Sequence, residues 1–220
     1  SWGVKDPQKI KTILDIGCAY GKNLLIAQKV GWKAIGVEPS KYAAQKGQAM
    51  GLNIKNTTFE NFKTKQKFDL IIASMVIEHI YSPQKFLKKC FRLLSPGGII
   101  YITFPLAGGS FTLFRKYSYV LQLPPHLYLP FKKHISYLLK ATGFTSLKFK
   151  YQSNERDFLL SVKIGAENNH SVCKFLTKNT RLLNLLSRVY KNLSRIGFSS
   201  RITVIARRPL SSSYPYLKTK

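Results

Sequence analysis

Acidic residues are scarce in this chain. Nine Asp and Glu stand against 36 Lys and Arg in 220 residues, a formal charge of +27. Cysteine is scarcer still. Cys18, Cys90 and Cys173 are odd in number and far apart, and no CxxC pair occurs. That excludes a disulfide framework and a zinc-finger ligand set, so no metal is expected, and it fits a reducing compartment. No run of 18 or more apolar residues is present, which leaves no transmembrane helix to expect. No signal-peptide pattern is visible. The first residue is serine rather than methionine, which fits a missing or processed N-terminal piece. No internal repeat is found.

What is present is a chain long enough, at 45% hydrophobic residues, to bury one core of ordinary size, so one domain is the default. The charge has two readings. One is the lysine-rich composition of an AT-biased proteome. The other is an anionic partner: a membrane face, a nucleotide-linked substrate or nucleic acid. Residues 79–154 and 168–220 each hold eleven Lys and Arg and no acid, so the excess lies mostly in the later half. Five of the nine acids fall between Asp15 and Glu78: Asp15, Glu38, Glu60, Asp69 and Glu78.

The first half alternates apolar runs with helix-like stretches. Strands are expected over Lys11–Ile16, Lys33–Val37, Ile54–Thr58, Phe68–Ala73 and Ile99–Phe104, and helices over Lys22–Val30 and Lys41–Met50, the second capped by Gly51. A further helix begins at Ser82-Pro83, with Ser as N-cap and Pro in the first turn, and ends at Pro96-Gly97-Gly98. Such alternation predicts right-handed βαβ units and a mainly parallel sheet that binds ligands at the carboxyl ends of its strands. Gly17, Glu38, Ser74 and Phe104-Pro105 lie at such ends. After Pro105 the pattern loosens. Residues 106–130 read as an insertion over the pocket mouth, followed by a helix over Phe131–Thr142, a cap at Gly143 and a strand over Phe144–Tyr151. Residues 152–170 give no clear pattern. Cys173–Ile196 reads as one amphipathic helix and Arg201–Ala206 as a last strand. Ser211–Lys220 has the composition of a disordered tail.

The most informative stretch is Ile13-Leu14-Asp15-Ile16-Gly17-Cys18-Ala19-Tyr20-Gly21, followed by Gly36-Val37-Glu38. Glycines let a backbone approach a ligand closely and adopt left-handed angles. An acid ending the second strand can accept hydrogen bonds from both ribose hydroxyls. The turn is not a dinucleotide fingerprint: its third glycine position is Lys22, where close helix–strand packing needs glycine.

With these residues the chain resembles the class I S-adenosylmethionine-dependent methyltransferases of the small-molecule type. The resemblance runs from Lys11 to about Tyr151 and includes the terminal strand. LDIGCAYG carries the first motif, with Ala19 in place of the usual middle glycine, and GVEPS carries the second. FENF (Phe59–Phe62), FDLIIASMVIEHI (Phe68–Ile80), LLSPGGIIYITFP (Leu93–Pro105) and PPHLYLP with its following helix follow in order. The resemblance implies a Rossmann-like, doubly wound α/β fold whose mostly parallel seven-stranded sheet ends in an antiparallel strand; residues 106–135 and 152–196 are read as lid or substrate insertions. It implies S-adenosylmethionine as cofactor, held by Asp15, Gly17, Ala19, Gly21 and Glu38, with Phe59 and Glu60 flanking adenine and Ser74 and Met75 on the methionine side.

Methyl transfer from such a donor needs alignment and dryness above all, and a hydroxyl nucleophile also benefits from a base. Histidine suits that role near neutrality. His126, in the proline-framed loop, is the candidate; its alternative is a loop anchor bonded to backbone. His79 reads as a packing or hydrogen-bonding residue near the cofactor. The implied function is methyl transfer to an oxygen, less readily a nitrogen or carbon, of a small or lipid-linked and anionic acceptor: a glycan, nucleotide-sugar or quinone precursor. A cytoplasmic location is expected. Three alternatives stay open. A nucleic-acid methyltransferase suits the charge, but Ser74-Met75-Val76-Ile77 stands where an Asp/Asn-Pro-Pro-aromatic motif would be. A non-catalytic basic adaptor could use the same scaffold. The basic helix Lys174–Arg195 could cover the core or lie on a membrane surface.

Overall fold

A computed structural model describes residues 10–121, 126–153, 155–193 and 197–210. The expected tail at 211–220 lies outside the described residues. Seven strands form one sheet: β1 (Thr12–Ile16), β2 (Lys33–Glu38), β3 (Ile54–Asn56), β4 (Phe68–Ser74), β5 (Leu94–Pro105), β6 (Thr145–Gln152) and β7 (Arg201–Arg207), in the order β3-β2-β1-β4-β5-β7-β6. The helices are α1 (Lys22–Lys29), α2 (Lys41–Ala49), α3 (Pro83–Leu93), α4 (Ser110–Phe114), α5 (Lys132–Thr142), α6 (Glu155–Glu167), α7 (Ser171–Lys178) and α8 (Thr180–Leu193). The pairs β1–β2, β1–β4, β2–β3 and β4–β5 are parallel.

The last strand runs the other way. Arg208 N–H donates to the Gly98 carbonyl at 2.8 Å, and Leu106 N–H donates to the Ser200 carbonyl at 2.9 Å. Residue numbers therefore rise along β5 as they fall along β7, the mark of an antiparallel pair. This is the mostly parallel seven-stranded α/β sheet that the motifs imply.

By proximity of backbone the chain forms two compact units. The first takes the described residues of 1–103, 136–148 and 204–220; the second takes those of 104–135 and 149–203. In the first, β1 and β4 are buried along nearly their whole length, as central parallel strands covered on both faces must be. Ile10, Ile13, Ala27, Leu70, Ile72 and Ile99 pack on one another in one core cluster, and Cys18, Leu24, Ala44, Leu52 and Ile54 in another. Asp69 ties the start of β1 to β4: its Oδ2 accepts from the Lys11 and Thr12 amides at 2.9 and 3.0 Å and from the Thr12 hydroxyl at 2.9 Å. One of the five early acids is thus a clamp at the amino end of the sheet.

In the second unit Phe114, Phe158, Val162, Cys173, Leu176 and Tyr190 make the core between α4, α6, α7 and α8. Asp157, buried on α6, accepts from Arg201 Nη2 at 2.8 Å and from the Ser200 hydroxyl at 2.7 Å, anchoring that helix to the start of β7.

Several local expectations need correction. Ser82 precedes α3 but makes no side-chain cap bond. Pro96-Gly97-Gly98 does not separate α3 from the fifth strand: β5 begins at Leu94, directly after the helix, and its pairing with β4 shifts register between Phe68 and Leu70. Gly97 takes up that irregularity at φ +76°, a conformation glycine adopts without penalty. Residues 155–167 form a full helix where no pattern was legible. The single helix expected over Cys173–Ile196 is two, broken at Asn179, whose φ of −111° and ψ of 71° cannot continue a helix; residues 194–196 lie outside the described residues. Cys18, Cys90 and Cys173 are free and buried. Among the described residues no helix is long and apolar enough to cross a membrane.

Candidate functional site

The strand order reverses between β1 and β4, and the crevice at such a switch point is where open α/β sheets bind ligands. In the first unit the carboxyl ends of β1, β2 and β4 border a cavity of about 970 Å³. Gly17, Glu38, Phe59, Glu60 and Met75 line it, as do Val37, Thr58, Val76, His79, Ile80 and Phe86. Five of the residues expected to hold a cofactor thus converge on one surface. Asp15, Ala19, Gly21 and Ser74 are not in that lining.

The turn after β1 is held by backbone. Gly17 N–H donates to the Val37 carbonyl at 2.8 Å and Gly21 N–H to the Cys18 carbonyl at 2.8 Å. Gly17 sits at φ +67°, and a Cβ there would lie 2.7 Å from Val76 Cγ2. Ala19 also takes a left-handed conformation, at φ +47°. That explains why glycine suits the middle position and sets a strain of about 1–2 kcal/mol for alanine.

Glu38 is what holds Ala19 there. Its Oε2 accepts from the Ala19 amide at 2.8 Å and its Oε1 from the Ser40 amide at 2.9 Å. A carboxylate has about four lone-pair directions, so two remain for a ligand. Its own carbonyl accepts from Asn56 Nδ2 at 2.9 Å, which fixes the end of β2 beside β3. Ser40 in turn caps α2, accepting from the Ala43 amide at 3.3 Å.

Asp15 is 2% exposed and receives one bond, from Asn23 Nδ2 at 3.1 Å. Burial pushes its pKa up to about 7, against the Asn23 bond that lowers it and with the Glu38 charge that raises it further. The same surroundings make Cys18 unreactive: burial first, then the Asp15 and Glu38 charges, push its thiol up to about 12, and the thiolate is the reactive form. At the end of β4, Met75 has φ +56° and its amide donates to the Thr103 carbonyl at 2.8 Å. The strained turn presents Met75 to the cavity and leaves Ser74 exposed.

One residue escaped the sequence reading. Lys89, on α3, donates to the carbonyls of Phe59, Glu60 (3.0 Å) and Phe62 (2.7 Å). Its ammonium lies 4.7 Å from the centre of the Phe59 ring, within cation–π range. Burial lowers its pKa, with the Glu60 charge opposing. Lys89 therefore shapes the turn that brings Phe59 and Glu60 to the cavity, and Phe86 meets Phe59 edge-on at 5.1 Å. No motif marks a lysine whose partners are loop carbonyls. With Lys85, Lys88 and Arg92 it also makes the cavity lining basic on the α3 side.

His126 belongs to the second unit. It is buried, and its Nδ1 lies 3.0 Å from the Val120 carbonyl. A carbonyl can only accept, so the neutral ring carries its proton on Nδ1 and its lone pair on Nε2.

Residues 4–148 match the family model described as a methyltransferase domain. A ubiquinone biosynthesis O-methyltransferase from Bradyrhizobium sp. (strain ORS 278) is 33% identical over 98 residues, 41% of this chain and 38% of that protein. One from Nitrobacter winogradskyi is 34% identical over 95 residues, 40% and 36% of the two chains. The match thus spans less than two-fifths of these relatives. Among solved structures, a SAM-dependent methyltransferase from Archaeoglobus fulgidus superposes with a TM-score of 0.63 at 18% identity, covering 90% of this chain and 86% of that one. Mycolic acid cyclopropane synthase CmaA1 gives 0.61 at 19%, covering 90% and 78%. These structural likenesses concern the fold. The matched domain is well over half of the chain, and its sheet order, glycine turn and ribose-type acid agree with it: the chain belongs to the class I S-adenosylmethionine-dependent methyltransferase family.

Proposed function

We propose that this chain transfers the methyl group of S-adenosylmethionine to an oxygen of a small or lipid-linked acceptor, such as a glycan, nucleotide-sugar or quinone precursor. The observation that carries the reading is the convergence of Gly17, Glu38, Phe59, Glu60 and Met75 on one cavity. Its volume lies at the top of the range of about 300–1,000 Å³ usual for ligand sites. The residues fit the donor. Glu38 keeps two free lone-pair directions for ribose hydroxyls, Phe59 and Phe86 offer apolar ring surface to a flat base, and Gly17 keeps the floor of the turn free of a side chain. When bound, the donor supplies a methyl group on a positively charged sulfur, which an in-line nucleophile takes.

The chain's own contribution is alignment and exclusion of water. Ile16, Val37, Val76, Ile80 and Phe86 wall the cavity with hydrocarbon, where a fixed geometry lowers the barrier more than a solvated one can. Lys85, Lys88 and Arg92 favour an acceptor of negative charge. Oxygen as the methylated atom, and a quinone precursor as acceptor, are supported by the names of the Bradyrhizobium and Nitrobacter relatives. His126, the base expected from the sequence, is a buried residue of the second unit tied to the Val120 carbonyl, so no base is assigned to this cavity.

Incubation with methyl-labelled donor and a panel of phenols, nucleotide sugars and glycans tests it. The expected product is a labelled methyl ether. Label appearing only on amines or carbons, or none at all while donor is bound, contradicts it.

A further inference from the structure

The second unit holds a separate cavity of about 710 Å³, lined by residues of α4, α6, α7, α8 and the turn Arg115–Tyr117. Its interior is hydrocarbon: Phe114, Phe158, Leu176 and Tyr190 form the buried floor. Its rim is also apolar, and in an unusual way. Leu113, Val172 and Val189 line the cavity yet are 59%, 60% and 45% exposed. Apolar side chains left in water around a concave apolar site mark a place where apolar matter enters.

The charge at the same rim has one sign. Arg115 and Lys116 are exposed members of the lining, and among the described residues no Asp or Glu lines it. Arg115 is held at φ +47°, a left-handed angle that a side-chain-bearing residue adopts only where its surroundings impose it. Lys116 lies 5.1 Å from the ring centre of Tyr117, and Tyr117 meets His170, another lining residue, edge-on at 5.3 Å. An apolar interior with an exposed apolar rim and two exposed cations in its lining matches a molecule with a hydrocarbon chain and an anionic end.

We propose that this cavity binds the chain of a single-chain anionic amphiphile, such as a long-chain fatty acid, taken up as a monomer with its charged end beside Arg115 and Lys116. This site rests on the second unit alone and is independent of the methyl-transfer reading.

The test is direct binding to the purified chain. cis-Parinaric acid, a naturally fluorescent fatty acid, is titrated below its aggregation concentration, then displaced with palmitate and, separately, with uncharged palmityl alcohol. Saturable binding of one molecule per chain, displaced by palmitate well before the alcohol, is expected. Arg115→Glu with Lys116→Glu should weaken it about tenfold, the scale of inverting two solvent-exposed charge contacts. Val172→Asp with Val189→Asp, at two exposed positions, should also weaken it, with an unchanged thermal melt showing that the fold survives. The proposal is overturned if the folded chain shows no saturable signal, if acid and alcohol compete equally, or if the charge-reversal variant binds as before. It is overturned equally if the chain ignores monomers and binds only anionic phospholipid vesicles, which would make this face a bilayer-docking surface instead.

Discussion

The carboxylate of Glu38 accepts a hydrogen bond from the backbone amide of Ala19 at 2.8 Å. The acid closing the second strand is therefore also the clasp of the turn that follows the first. In the proposed reading, cofactor recognition and local folding share one side chain. Glu38→Gln keeps an acceptor for one of the two amides but turns an N–H₂ group toward the other. Ala19 and Ser40 are surface residues and the two bonds are only part-buried, so losing one of them costs about 1 kcal/mol. Urea denaturation should show a loss of that size, with the midpoint lowered and the slope unchanged.

Ala19→Gly should go the other way. The left-handed angle of Ala19 costs an alanine about 1–2 kcal/mol, while glycine's extra freedom in the unfolded chain costs about 0.4–1 kcal/mol. The strain is the larger of the two, so a rise in melting temperature of a few degrees is expected. Gly17→Ala meets both a positive φ and Val76 Cγ2 at 2.7 Å. It should lower the melting temperature, and Val76→Ala should recover only the steric part.

Asp15 gives the stability a pH dependence of defined sign. Its pKa stands at about 7 in the folded chain against an ordinary 3.8, because of burial. Between those two values the folded state holds a proton that the unfolded state has released, so stability falls as pH rises. The contribution is fully present below about 4 and lost by about 8. Asp15→Asn removes this slope. Melting temperatures of wild type and variant compared at pH 5 and pH 8 should move in the variant's favour at the higher pH, by the equivalent of a few kcal/mol.

Lys89→Met tests the turn that carries Phe59 and Glu60. The substitution keeps the length of the stem but removes donors to three carbonyls. Adenosine affinity should fall several-fold, on the order of 1 kcal/mol. Lys89→Arg should restore part of it, because a guanidinium retains donors and stacks on an aromatic ring. Equilibrium dialysis with adenosine and with S-adenosylhomocysteine measures both.

What was legible in the sequence follows from where the forces act. β1, α1 and β2 could be read because central parallel strands are continuous apolar runs and glycine turns announce themselves. The strand-end positions of Gly17 and Glu38 came with them. α6 was not legible: its buried face includes Asp157, Ser161 and Gly165, so the apolar period that marks a helix is diluted by residues buried for bonding or close packing. Gly165 leaves no room for a side chain, since a Cβ would lie 2.5 Å from Cys173 Sγ. The break between α7 and α8 was hidden because the apolar residues on either side of Asn179 keep a helical spacing through it. Lys89 could not be found because its partners are backbone oxygens of a loop, which leave no trace in residue type.

The most direct test of the account is isothermal titration of the folded chain with S-adenosylmethionine, for wild type and Glu38→Ala. Binding at one site per chain, competed by S-adenosylhomocysteine, is expected for wild type. Loss of charge-assisted bonds to the ribose should weaken the variant by at least about tenfold. A folded wild-type chain that takes up no donor, or a variant that binds as tightly as wild type, would contradict it.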